Sequence, residues 1–311
     1  IDTSLKWQMV VEDVYCTSVS SVRMEDVKQV ESDDEMIRKL DKVSLRTLHN
    51  CMQSVFEDGP KRDRRLWLGD LYLQAKANYV TFKNNDLVLR CMYLFAGITH
   101  PDGCLSSAVF QEPLLQKSSW ILHDYALFFI GVLYDYYKET KNIAIVEELW
   151  PTAFRQAEIV IESADKQGLF PVSRYFVDWC DQLDKRVAVQ GIVITMLKQA
   201  IELAEELSEY DKAEKLKCSI DIFSDAALKM YDRSRCLFVA PGSMQVSKAS
   251  QVWMILAGVL DNNENNKILD ALKMCDEAVN TVTPYAMHYY VEALLLCGRK
   301  QEALDTIKNY W

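Results

Sequence analysis

The chain has 311 residues, 50% of them hydrophobic and 26% charged, with a net charge of −10. That length can bury a large core, and the acidic balance argues against a nucleic-acid surface, which needs a basic stripe. Nine cysteines are scattered without a CxxC pair, and the longest apolar run, "YALFFIGVLY" at 125–134, is too short to span a bilayer; reduced core thiols, a cytoplasmic location and no membrane partner are expected.

Residues 1–30 are rich in Val, Thr and Ser with rough alternation, which favours strand. They read as a β-rich segment or linker from an upstream β domain. From residue 31 the pattern turns helical. Helices are expected near 33–56, 70–82, 86–98, 120–138, 144–165, 186–208, 210–233, 248–260, 265–278, 284–297 and 300–309. In "ITMLKQAIELAEELSEY", Ile194, Leu197, Ile201, Ala204 and Leu207 recur at steps of three and four, so one apolar stripe faces inward.

The connections alternate in length. Long ones, at 57–69, 99–119, 166–185 and 234–247, hold most of the Gly, Pro and aromatic residues between helices; short ones, at 83–86, 140–142, 208–211, 261–265 and 297–300, are tight turns. Short connections make antiparallel helical hairpins. If every second loop is long, all long loops leave one end of the bundle, as in an all-α (α/α)6 six-hairpin toroid with a functional rim. The expected plan is therefore a segment at 1–30 and a six-hairpin domain at 31–311. One helix and five hairpins make eleven, and the twelfth, an inner helix, would follow Trp311 together with a downstream β domain. A helical repeat scaffold competes with this plan, but no fixed period near 34 residues is visible.

On that layout the rim offers carboxylates and indoles. "EDGPKRDRRLWLGD" at 57–70 supplies Asp58, Arg62, Asp63, Arg64, Trp67 and Asp70; "SSWILHDYAL" supplies Trp120 and Asp124; "FVDWCDQLDK" supplies Asp178 and Trp179; "PYAMHYY" supplies Tyr285 and His288. Aspartates accept hydrogen bonds from hydroxyls, and indoles pack on the apolar face of a ring, so a carbohydrate is the expected partner. Four scattered histidines give no metal-ligand spacing, and there is no phosphate loop or serine elbow. No metal or organic cofactor is expected.

"DGPKRDRRLWLGD" resembles the signature of bacterial α-L-rhamnosidases, glycoside hydrolases built on a six-hairpin barrel, whose motif runs roughly D-x-P-x-R-D-E-R-x-x-W-x-G-D. The resemblance continues through "HDYALFFIGVLYDYYKETKNIAIVEELWP" and "FVDWCDQLDK" and covers about 30–311. It implies an inverting hydrolase of terminal α-L-rhamnose. Asp58, Asp63 and Asp70 are the catalytic candidates, with Glu57 behind them. Arg62, Arg64, Trp67, Trp120, Asp124, Asp178, Trp179 and His288 are the substrate-binding candidates. In an inverting pair one carboxylic acid protonates the leaving oxygen, and a carboxylate about 6.5–9.5 Å away activates water. The motif's acidic Glu falls on Arg64 here, and arginine cannot donate a proton near neutral pH. Asp63 is flanked by Arg62 and Arg64, which would lower its pKa where an acid needs it raised. No Trp-Glu pair, the family's base motif, occurs in the chain. A hydrolase of another glycone, a non-catalytic carbohydrate-binding or helical interaction module, and a homodimer all remain open.

Overall fold

The computed structural model describes residues 10–59, 61–62 and 64–311. Among the described residues there are eleven α-helices: α1 Glu35–Cys51, α2 Leu68–Val80, α3 Asn85–Ala96, α4 His123–Thr140, α5 Ile143–Ser163, α6 Arg186–Glu206, α7 Tyr210–Leu228, α8 Lys248–Ala257, α9 Asn262–Lys273, α10 Pro284–Leu296 and α11 Lys300–Tyr310. The even-numbered helices form the inner ring, α2 packing on α4, α4 on α6, α6 on α8 and α8 on α10. The odd-numbered helices lie outside. Each inner helix passes to the next outer helix through a short turn, and each outer helix returns to the next inner one through a longer loop. All the longer loops therefore gather at the N-terminal ends of the inner helices, as the alternation predicts.

The short turns carry their own stop and start signals. Asn84, Asn142 and Asp261 cap α3, α5 and α9 by accepting the backbone N–H of Leu87, Ile145 and Glu264. Such caps contribute about 1 kcal/mol each. The inner helices are apolar on nearly every side, as helices enclosed by others must be. In α4 the buried residues run almost without a break from His123 to Leu133. By length and composition α6 would pass for a membrane span, yet it is mostly buried inside the ring, packed against α4, α7 and α8.

The longer loops hold five short strands. β1 Leu66–Trp67, β2 Ala108–Phe110 and β3 Gln116–Lys117 form one antiparallel sheet, with Leu66 opposite Val109 and Phe110 opposite Gln116. β4 Tyr231–Asp232 pairs with β5 Leu237–Phe238.

Two expectations are corrected here. The strand expected within 1–30 does not form in its described part. Residues 10–23 are irregular, a single 3-10 turn follows at Met24–Asp26, and Val10, Val14 and Val19 are exposed. The segment pairs with no strand among the described residues; it is held by Ser20 and Ser21, which hydrogen-bond to the Met52 carbonyl. The first helix also stops at Cys51 rather than 56, because the Glu57 and Gln53 amides turn back onto the Cys51 carbonyl.

The inner ring tolerates little added volume. A Cβ on Gly191 of α6 would lie 2.6 Å from the backbone carbonyl of Trp253 on α8, and one on Gly131 of α4 would lie 2.6 Å from the Tyr72 ring of α2. A backbone neighbour cannot rotate away. Gly191→Ala is therefore expected to destabilise the fold by about 1–3 kcal/mol, read as a lower denaturant midpoint.

Candidate active site

The rim is built from the loop before each inner helix. Asp58 is held by backbone pairing: its N–H donates to the Arg65 carbonyl at 2.8 Å, and the two residues form an isolated antiparallel bridge. Arg62 donates its N–H to the Gly59 carbonyl at 2.7 Å, and Arg64 takes a left-handed φ of 51° to turn the chain back into β1. Asp70 stands in the first turn of α2, where the helix dipole favours a carboxylate. Asp58 and Asp70 share one electrostatic neighbourhood. Burial, reinforced by Asp58, Glu57 and Asp70, raises the Cys51 thiol to about 11. Burial followed by Asp70, Asp124 and Asp58 keeps the Tyr125 hydroxyl protonated far above its usual range. Burial also raises the Glu57 carboxyl, against the pull of Arg64.

An arc of aromatic rings spans this mouth. The small sheet places Trp67 beside Trp120, with ring centroids 6.0 Å apart, and Trp120 is fixed there because its carbonyl accepts from the Ser107 amide and hydroxyl. Trp67 meets Tyr125 edge-on at 6.3 Å, Tyr125 meets Phe176 at 5.7 Å, and Phe176 meets Trp179 at 5.3 Å. The indoles at the two ends, Trp120 and Trp179, are 61% and 76% exposed. Behind Tyr125 the rings of Tyr72, Phe128, Tyr289 and Trp253 pack together as a buried cluster. Deeper still, Lys76 lies 3.1 Å from Asp135 and 4.7 Å from the centre of the Tyr72 ring. Together these features set carboxylates beside exposed indoles on one rim, a pairing that suits a polyhydroxylated ring.

The sequence model of the bacterial α-L-rhamnosidase six-hairpin glycosidase domain matches residues 25–309. The chain belongs to this family. A rhamnosidase from Klebsiella oxytoca with rhamnose bound is 43% identical with a TM-score of 0.89, over 92% of this chain and 56% of that one. A GH78 family rhamnosidase of Bacillus sp. GL1 is 21% identical with a TM-score of 0.83, over 93% of this chain and 31% of that one. A GH63 mannosylglycerate hydrolase from Thermus thermophilus shares the fold at 13% identity and a TM-score of 0.64, over 81% of this chain and 85% of that one. The chain thus spans about half, or about a third, of the two rhamnosidase chains. No curated protein matches it.

Within this rhamnosidase-family domain, Asp58, Arg62 and Arg64 share the loop before α2, Asp70 stands in the first turn of α2, and Trp67, Trp120 and Trp179 belong to the aromatic arc. Asp63 lies outside the described residues. Three substrate-binding assignments are corrected. Asp124 is 1% exposed, and its oxygens accept the amides of Tyr125 at 3.1 Å and of Phe176 and Val177 at 2.9 Å each. Burial raises its pKa against the pull of those amides. Asp178 is 3% exposed and accepts from the amides of Trp179, Val282 and Thr283 and from the Thr283 hydroxyl. Both carboxylates are buried and committed to donors of the protein, and both brace loops. His288 faces the seam between α1, α10 and α11, lining a cavity with Leu40 and Ile307, and its Nε2 sits 3.2 Å from Glu292. Tyr125 and Phe176, which join the arc, were not singled out from the sequence. Both flank the braced aspartates, Tyr125 directly after Asp124 and Phe176 two residues before Asp178, and that adjacency was the only signal available.

A third brace joins the loops before α6 and α8. Asp184 receives the Arg186 guanidinium and the Ser243 hydroxyl, while Gln245 accepts the Asp184 amide. Burial pushes the Asp184 carboxyl up, but those two donors more than offset it and leave it below its usual value. A depressed carboxylate stabilises the fold above its unfolded value, about pH 4, and that contribution is lost as pH falls through the folded value. Asp184→Asn should therefore cost about 1 kcal/mol near neutrality, given the part-exposed Arg186. The gap from wild type should close below about pH 4 in denaturation curves measured against pH.

Proposed function

We propose that this domain is the catalytic barrel of a glycoside hydrolase that removes terminal α-L-rhamnose from glycosides or oligosaccharides with inversion. The observation that carries the reading is the grouping of Asp58 and Asp70 beside Tyr125 under an arc whose ends are the exposed Trp120 and Trp179. The 43% identity over 92% of the chain to a rhamnosidase with rhamnose bound supports rhamnose as the glycone. The indoles would pack on the C–H face of the ring, and Arg62 and the carboxylates would take its hydroxyls. One carboxylic acid protonates the leaving oxygen while a second carboxylate, about 6.5–9.5 Å away, directs water to the opposite face. Asp58, Asp63 and Asp70 are the candidates for these roles. The carboxyl of Glu57 is raised by burial, the direction that favours a general acid. Nine unpaired thiols support a reducing, cytoplasmic setting.

The complete protein should release the aryl group from an aryl α-L-rhamnoside between about pH 4 and 8, and Asp70→Asn should lower kcat/KM at least about 100-fold. Cleavage of other aryl glycosides with none of the rhamnoside would overturn the glycone, and near-wild-type turnover by Asp70→Asn would remove that residue from the site.

A further inference from the structure

The segment that carries Trp179 is held in an unusual way. Val177, two residues before it, has a φ of 58°. This left-handed conformation is rare for any residue with a side chain and most unfavourable for a β-branched one. Val177 is buried, and its amide is bonded to Asp124 Oδ2 at 2.9 Å. On the other side of the strained residue Asp178 reaches across to another loop. Its Oδ2 accepts the Val282 amide at 2.6 Å, and its Oδ1 accepts the Thr283 amide at 3.2 Å and the Thr283 hydroxyl at 2.6 Å. Thr283 is also the N-cap of α10, its hydroxyl oxygen accepting the Ala286 amide. The same Asp178 Oδ1 accepts the Trp179 amide at 2.9 Å. One carboxylate therefore fastens the exposed indole to the start of α10. The ring contacts of Phe176 with both Trp179 and Tyr285 repeat that link through side chains.

Strain of this kind persists only where the surroundings over-determine it, and it gathers at ligand clamps. Trp179 itself contributes little to holding the loop, since it is exposed and meets only Phe176 among the described rings. We propose that Asp124 and Asp178 are positioning residues that, through the left-handed turn at Val177, set the angle of the Trp179 indole over the sugar pocket and couple it to the Thr283 cap of α10. The proposal rests on the glycoside-hydrolase reading for its ligand, though not for its mechanics. Thr283 lies outside the aromatic arc, and the hydrogen bond from its hydroxyl to Asp178 Oδ1 is its direct side-chain link to the Trp179 segment.

The test uses the whole protein, four single variants and the Asp178→Asn/Thr283→Val double variant. Asp178→Asn turns an amide N–H toward backbone N–H groups; Thr283→Val removes the hydroxyl, whereas Thr283→Ser keeps it; Trp179→Phe isolates the indole signal by subtraction. Expected results are a changed acrylamide quenching of Trp179 and faster hydrogen exchange at Val282 and Thr283 in both Asp178→Asn and Thr283→Val. The dissociation constant for free L-rhamnose should rise about tenfold in each, with KM moving more than kcat, and the double variant should be less than additive. Thr283→Ser should behave as wild type. Folded Asp178→Asn and Thr283→Val proteins with unchanged Trp179 quenching would overturn the proposal, as would a Thr283→Ser protein as impaired as Thr283→Val. If wild type binds no rhamnose, the glycosidase reading fails, while quenching and exchange still decide the clamp.

Discussion

The close approach of the inner helices governs the rest of the molecule. Gly191 brings α6 against the backbone of α8, and Gly131 lets the Tyr72 ring lie on α4. Helices this near and this apolar leave no room for connections between them, so the chain must leave the ring and return. It does so with turns of a few residues at one end and longer loops at the other. The sidedness of the domain, and hence the single rim where chemistry can gather, follows from that packing.

Once gathered, the loops need something other than regular structure to hold them. Three buried or half-buried aspartates supply it. Asp124 accepts three backbone amides, Asp178 three amides and a hydroxyl, and Asp184 joins an arginine to a serine across two loops. A carboxylate with two oxygens can satisfy several loop amides at once, which makes it an efficient brace in a place where orphaned amides would be costly. Asp124 and Asp178, deep in the rim loops, are thus taken up largely by backbone donors.

Behind the rim the inner ring is filled with side chains. Tyr72, Phe128, Tyr289 and Trp253 pack together, and Lys76 and Asp135 form an ion pair beside Tyr72. Burial would lower the Lys76 ammonium, but the Tyr72 hydroxyl, Asp135 and Glu292 together raise it, so the cation is retained inside the ring. Glu292 is in turn held low by His288 and Lys76 in spite of its burial. A buried pair of this kind adds little net stability but is costly to break.

By itself the sequence determined the helices, their order and the sidedness of the loops, because apolar periodicity and capping residues such as Asn84, Asn142 and Asp261 act over one or two turns. It also determined the family, through the ordered residues of "DGPKRDRRLWLGD". Only the tertiary structure decided that Asp124 and Asp178 brace loops. Nothing local marks them for that task. The donors that claim them are amides far along the chain: Phe176 and Val177 for Asp124, Val282 and Thr283 for Asp178. A carboxylate's role depends on which donors reach it first, and those donors are brought there by the closure of the ring.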